Sequence, residues 1–267
     1  MKHPDAFMAV LMLALGATIL FCVWRARRGH IPFVRRISGI TALEEAVGRA
    51  TEMGRPIIFG MGWTDIRSIT THAALSVLSH VARLAARMRT DLIVLARPEN
   101  VYPVAEQVVR EAYIAEGAPE LFNAERQVRF LSSNSVVYSM GLAGLVEETE
   151  AGCAMFFGEF DFTSLLMAEP GARMGVLQIA GAPSLWQVPF FVVTCDHVVL
   201  GEEYFAAGAY LSPDPSMRGA LLSQDIIKLI FASLIVVGTV LALMAWWEPA
   251  QWVVEHLRAY ETRGAGP

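Results

Sequence analysis

Two charge-free apolar runs bracket this chain, Ala6 to Trp24 and Leu229 to Trp247, each 19 residues long. A helix needs about 20 mainly apolar residues to cross the hydrocarbon core of a bilayer. The sequence therefore predicts a transmembrane helix at each end and confines any water-facing fold to the residues between them. The first run is too long for the roughly 7–15 apolar residues of a signal peptide, and arginines follow it where small residues would be needed for cleavage. It reads as a retained span.

Arginines set the expected orientation. Arg25, Arg27, Arg28, Arg35 and Arg36 follow the first run directly, whereas only Lys2 and Asp5 precede it. Arg218 and Lys228 precede the second run, and Glu248, Glu255 and Glu261 outnumber Arg258 and Arg263 after it. Basic residues close to a span favour the cytoplasmic side, which places the middle of the chain in the cytoplasm and both termini outside. Neither run contains Asp, Glu, Lys, Arg or His, the residues that mark ion paths inside membranes, so transport through this chain alone is not expected. Gly238 with Ala242, and the Gly16, Ala17, Thr18 cluster, offer small surfaces for helix pairing. Trp24, Trp246 and Trp247 sit at span ends, and Trp252, Val253, His256, Leu257 and Tyr260 recur with helical spacing beyond the second run. That pattern suits an interfacial helix.

Composition removes several classes of function. A net charge of −5 argues against a nucleic-acid partner, which demands a concentrated basic surface. Cys22 lies in a span, and Cys153 and Cys195 are too few for a zinc site or a disulfide framework. Lysine occurs only as Lys2 and Lys228. The domain thus lacks the lysine of a phosphate-cradling loop, of a kinase strand and of Schiff-base chemistry. His72 and His80 lie about 12 Å apart along one helix, too far to share an ion, and no cofactor or metal is expected.

Between the spans, strands alternate with helices. Thr41 followed by Glu44 has the capping-box pattern and opens a helix to Met53. Strands follow at 56–60, 91–96, 128–132, 154–160, 175–180 and 189–195, with helices at 71–89, 101–116, 136–150, 163–169 and 202–211. The strands are short continuous apolar runs, as a sheet covered on both faces requires. The predicted fold is α/β, a doubly wound, mostly parallel, Rossmann-like sheet. The nine residues Gly181 to Pro189 leave room for either one antiparallel pair or a very compact crossover.

Ligands of such sheets bind at the carboxyl ends of the strands. The candidate ligand-binding residues by that rule are Gly60, Gly62, Asp65, Ser133, Asn134 and Asp161, with Arg97, Glu99, Asn100, Glu159, Asp196 and His197 near the same edge. Turns and helix caps use the same residue types at the same places, so both readings stand. Gly60-Met61-Gly62 resembles the start of a dinucleotide fingerprint, but the third glycine position holds Asp65, whose charge would repel phosphate. Cys195 and His197 would share one face of a strand, and a histidine can activate a thiol. No oxyanion hole or orienting group accompanies them, and no catalytic residue is assigned. The helix segment VVYSMGLAGLV, Val136 to Val146, is apolar nearly all round and has to be buried on every side, in a core or against a partner.

The segments ITALEEAVGRATEMGRPIIFGMGW, DLIVLARPENVYPVAEQVVREAY and QIAGAPSLWQVPFFVVTCDHVVLGEEYFAAGAYLS between two terminal spans resemble an uncharacterised family of bacterial membrane proteins, a domain of unknown function. The resemblance implies a two-span α/β architecture and no activity. The expected layout is an N-terminal span at 1–24, a basic segment at 25–40, a cytoplasmic domain at 41–212, a linker at 213–228, a span at 229–247 and an extracytoplasmic tail at 248–267. The expected function is that of a non-enzymatic structural or accessory subunit of an assembly in the bacterial inner membrane. Its expected partners are the lipid bilayer and further copies of itself or other membrane subunits. A membrane-tethered sensor of a small molecule or nucleotide is the alternative, and an enzyme using Cys195 and His197 the third reading.

Overall fold

The computed structural model describes residues 6–28, 38–211 and 215–243. They form two compact units, the α/β domain and a pair of terminal helices. Arg35, Arg36, Trp246, Trp247 and the stretch from Trp252 to Tyr260 lie outside the described residues.

In the domain, α2 (Ser38–Met53) leads into β1 (Ile57–Met61), α3 (Ile69–Met88), β2 (Leu92–Ala96) and α4 (Tyr102–Ala115). A 3-10 turn at Pro119–Leu121 and the short α5 (Ala124–Gln127) enter β3 (Val128–Phe130), followed by α6 (Ser135–Glu148) and β4 (Cys153–Phe157). The domain closes with α7 (Thr163–Met174), β5 (Leu177–Ala182), α8 (Val188–Thr194), β6 (His197–Leu200) and α9 (Glu202–Leu211). All six strands are parallel, in the order β3-β2-β1-β4-β5-β6. The α/β class and parallel sheet expected from the apolar runs are therefore present, and this strand order reverses direction between β1 and β4, as in a doubly wound fold.

Alternation along the central strands divides the core in two. Ile57, Phe59 and Met61 pack with α2, α3, α4 and α9, while Ile58 faces Tyr138, Leu142 and Val146 of α6 and, with them, Met167 of α7 and Phe191 of α8. Every residue of β1, β2 and β4 is buried, which is why these strands read as unbroken apolar runs. On the first face Phe59 stacks on Phe157 at 5.6 Å.

Beyond shifts in the ends of β3, β5 and α7, and the unexpected short elements α5 and β6, four details differ from the sequence reading. The segment Pro189 to Cys195 is helical through Thr194, not a strand. Pro189 suits a first helical turn, and Phe191 packs on Phe156 at 6.0 Å and edge-on to Phe160 at 5.8 Å. This contact outweighs the strand preference of the β-branched Val192, Val193 and Thr194. The helix also provides the crossover that lets β6 run parallel to β5, so the compact-crossover alternative is the one realised. Second, α2 begins at Ser38, ahead of Thr41, because its buried face continues back to Gly39, where a Cβ would meet Val199 Cγ2 at 2.2 Å. Third, β4 ends at Phe157 and not at Phe160. Gly158 stops it with φ +134°. Fourth, residues expected as a linker are helical from Pro215.

The terminal helices are α1 (Ala6–Arg27) and α10 (Pro215–Leu243), and they pack on each other. Among the described residues, one helix, over Leu222–Val240, is long and apolar enough to cross a membrane. The pair approaches closely at Gly219, where a Cβ would stand 2.8 Å from Ala26 Cβ and 2.9 Å from the Cys22 carbonyl oxygen. Arg27 Nε donates to Ser216 Oγ at 2.9 Å beside it. Gly16 and Gly238, the small residues noted in the apolar runs, have nothing within 4 Å of a Cβ position.

Candidate functional site

The reversal of strand order between β1 and β4 is where a doubly wound sheet opens a crevice for ligands. Here that crevice is closed by backbone. Gly62 N–H donates to the Phe157 carbonyl at 3.0 Å and Trp63 N–H to the Glu159 carbonyl at 2.9 Å, which continues the β1–β4 ladder past both strand ends. A Cβ on Gly62 would lie 2.4 Å from Glu159 N, and one on Gly158 2.7 Å from Gly62 Cα. The two glycines thus let the backbones of the loops after β1 and β4 touch each other.

Gln187, at the start of α8 and fully buried, locks this closure. Its Nε2 donates to the Gly158 carbonyl at 2.7 Å, and its Oε1 accepts from Phe160 N–H at 2.6 Å. From beneath the sheet the Tyr138 hydroxyl lies 2.8 Å from both the Met61 and Leu95 carbonyl oxygens. Complete burial pushes its pKa up, so it stays a neutral donor to the ends of β1 and β2. Neither residue figured among the sequence candidates. Gln187 did leave a signal: it is the one amide in the stretch SLWQVPFFVV, and a buried amide needs partners.

The six sequence candidates have identifiable positions. Gly60 packs under α6, a Cβ there meeting Leu142 Cδ1 at 2.4 Å. Asp65 is exposed and accepts from Arg67 N–H at 2.8 Å and Asn100 Nδ2 at 2.9 Å, tying the β1 loop to the β2 loop. The Arg67 amide and, after it, the Asn100 side chain hold its carboxyl below the usual range. Ser133 offers its carbonyl to Arg97 Nε at 3.1 Å. Asn134 caps α6 through Oδ1, which accepts from Val136 N–H and Val137 N–H at 3.0 and 3.2 Å. Asp161 has φ +54°, with Oδ1 accepting from Thr163 N–H at 2.9 Å and its carbonyl from Ser164 Oγ at 2.7 Å. Ser68 caps α3 by accepting from Thr70 N–H at 3.3 Å. The structure brings Asp65 to Asn100 and Ser133 to Arg97, and it engages Asn134 and Asp161 in starting their own helices.

Cys195, Asp196 and His197 take a different place from the one the sequence suggested. With α8 helical, they precede or open β6 at its amino end, so Asp196 and His197 lie at the edge opposite the other candidates. Cys195 belongs to no strand. Burial pushes its thiol up to about 12, against the thiolate that nucleophilic chemistry requires. Asp196 joins β5 to β6: Oδ2 accepts from Gln178 N–H at 2.8 Å, and its own N–H donates to the Gln178 carbonyl at 3.0 Å.

The amino edge of the sheet also holds a polar cavity of about 290 Å³ lined by Arg89, Asp91, Tyr113, Glu120, Arg126 and Gln127 among others. Its floor is largely self-satisfied: Gln127 Nε2 donates to Tyr113 Oη at 3.0 Å, Gln127 Oε1 accepts from Asn123 N–H at 3.2 Å, and Arg126 pairs with Asp91. Among the described residues, no group of three or more His, Cys, Asp or Glu could hold a metal ion.

The family model described as "Domain of unknown function (DUF6754)" matches residues 2–253. The chain belongs to this family. The DUF6754 match spans nearly the whole chain, terminal helices included, and agrees with the resemblance drawn from its long segments. No curated protein and no solved structure matches the chain.

A third feature concerns surface. The outward side of α6 carries Val136, Val137 and Met140, and that of α8 carries Val192 and Val193, all exposed. Between them α7, which packs on both, exposes Leu165 and Leu166, with Phe162 just before it. The all-round apolarity of Val136 to Val146 is thus half used by the core, through Tyr138, Leu142 and Val146, and half left outside.

Proposed function

We propose that this chain is a membrane-anchored α/β domain acting as a non-enzymatic structural or accessory subunit of a membrane assembly, and that it self-associates. The observation carrying this reading is the exposed apolar face of α6, α7 and α8. Soluble monomers rarely leave contiguous apolar patches of more than a few hundred Å², and patches spread over three adjacent helices mark contact surfaces. The backbone contact between the loops after β1 and β4 adds support, because it narrows the place where this fold binds cofactors. The two terminal helices serve as the anchors, and the arginine-rich flank of α1 supports a cytoplasmic domain at a bacterial inner membrane with both termini outside. A second reading, a tethered small-molecule sensor, draws on the exposed Asp65–Asn100 and Arg97–Ser133 pairs at the carboxyl edge.

Native mass spectrometry of the protein extracted gently from its own membrane distinguishes them. A defined oligomer or a stoichiometric second subunit is the expected result. A bare monomer carrying a small-molecule mass would reject the assembly reading in favour of the sensor.

A further inference from the structure

We propose that the outward face of α6, α7 and α8 is a self-complementary interface, on which two copies of this chain meet across a two-fold axis. The inference rests on the self-association reading and names its surface and partner.

Size comes first. Val136, Val137, Met140, Phe162, Leu165, Leu166, Val192 and Val193 are 38%, 55%, 62%, 63%, 39%, 43%, 57% and 82% exposed. Taking about 150–250 Å² for a fully covered aromatic and somewhat less for the others, these eight side chains offer on the order of 600 Å². A standard protein interface covers about 800 Å² on each partner, so these side chains supply most of the area a stable dimer needs.

Charge then selects the partner. Within α6, α7 and α8 the ionisable residues are Glu147 and Glu148 at the far end of α6, and Glu169 and Arg173 of α7. The latter two pair at 2.9 Å. In a two-fold contact the same patch faces itself, which a patch of one sign could not do without like-charge repulsion. A face whose central charges are the mutually paired Glu169 and Arg173 can. A bilayer surface fits less well: docking to anionic headgroups uses clustered Lys and Arg, whereas this face is flanked by Glu147, Glu148 and Glu150 and the domain contains no lysine.

Chemical composition at the patch agrees. Phe162 and Met140 belong to the residue types enriched at interface cores, and Lys and Asp, among the types depleted there, are absent from α6, α7 and α8.

The test is crosslinking of the full-length protein in isolated membranes. Single substitutions Val137→Cys, Met140→Cys and Val193→Cys are treated with a short bis-maleimide, with Gln107→Cys on α4 as the control. The expected result is a covalent species of twice the chain mass at α6 and α8 positions and none at position 107. In parallel, Met140→Glu should weaken dimerisation about tenfold or more, as for a charge placed in an interface core, with an unchanged far-UV circular dichroism spectrum. An oligomer by native mass spectrometry that crosslinks only outside α6–α8 would overturn this interface and spare the self-association reading. A crosslinked product of another mass would show that the face meets a different protein. A monomer in both experiments would reject both proposals.

Discussion

One sheet carries two helical layers that differ in what they show to the outside. On the α3–α4 side the outward positions are charged and paired: Arg87 with Glu116 at 3.1 Å, and Arg110 with Glu106. On the α6–α8 side the Glu169–Arg173 pair of α7 is set among exposed Val, Met, Leu and Phe. Both layers fill their inward side equally well, with Phe59, Phe157 and Tyr204 on the first and Phe156, Phe191 and Tyr138 on the second all at most 1% exposed. Core packing therefore does not explain the difference. It lies in the second layer's outer surface, which water alone does not favour.

This comparison can be broken by mutation. The largest effect is expected from Phe157→Ala, which removes the ring stacked between Phe59 and Tyr204. Truncating a buried Phe costs about 3–5 kcal/mol, and thermal unfolding followed by circular dichroism should show the loss. Gln187→Ala comes next. It strands the Phe160 N–H and the Gly158 carbonyl inside the protein, and two unsatisfied buried groups cost about 2–4 kcal/mol together, read as a lower urea midpoint. Gly62→Ala pushes a methyl against the Glu159 backbone and should destabilise by about 1–3 kcal/mol, with faster amide exchange in the loops after β1 and β4. Outward changes in the second layer should behave oppositely. Val193→Lys is expected to alter the stability of the single chain by no more than about 0.5 kcal/mol while raising the fraction of monomer in sedimentation velocity.

The smallest effect concerns pH on the charged side. Burial lowers the pKa of His80 below its ordinary 6.5, against the opposing pull of Glu44. Below pH 6.5 the unfolded chain binds a proton that the folded one refuses, so stability falls as pH drops through that value and levels off below the folded pKa. His80→Gln should flatten this slope in urea titrations at pH 7 and pH 5.

Much of the architecture was legible because β1, β2 and β4 are buried on both faces and must be apolar throughout. The sequence marks α9 at Glu202–Leu211, its bounds in the structure, because Gly201 and two acidic residues stand at its start. The miss at 188–194 had a physical cause. Val and Phe favour strands locally, and the packing of Phe191 between Phe156 and Phe160 is a long-range contact that no local pattern displays. The same holds for the candidate site. Asp65, Asn134 and Asp161 were visible as polar residues after strands. Their hydrogen bonds to amides two or three residues on are local caps and turns, whereas the Asp65–Asn100 contact and the lock made by Gln187 and Tyr138 join residues far apart in the chain. Gly219 escaped notice because it lies outside the apolar run and only the packing of α1 on α10 gives it a role.

Met140 allows the central claim to be tested without any substitution. It is 62% exposed in the single chain, against 48% for Met53 of α2, and methionine oxidation follows exposure. Brief peroxide or radical footprinting of the protein in its native membrane, read by peptide mass spectrometry, compares the two directly. If the α6–α8 face is covered by a second copy, Met140 should be oxidised several-fold more slowly than Met53, and Met140 should become reactive once the assembly is dissociated. Oxidation of Met140 as fast as or faster than Met53 in the intact membrane would contradict the account.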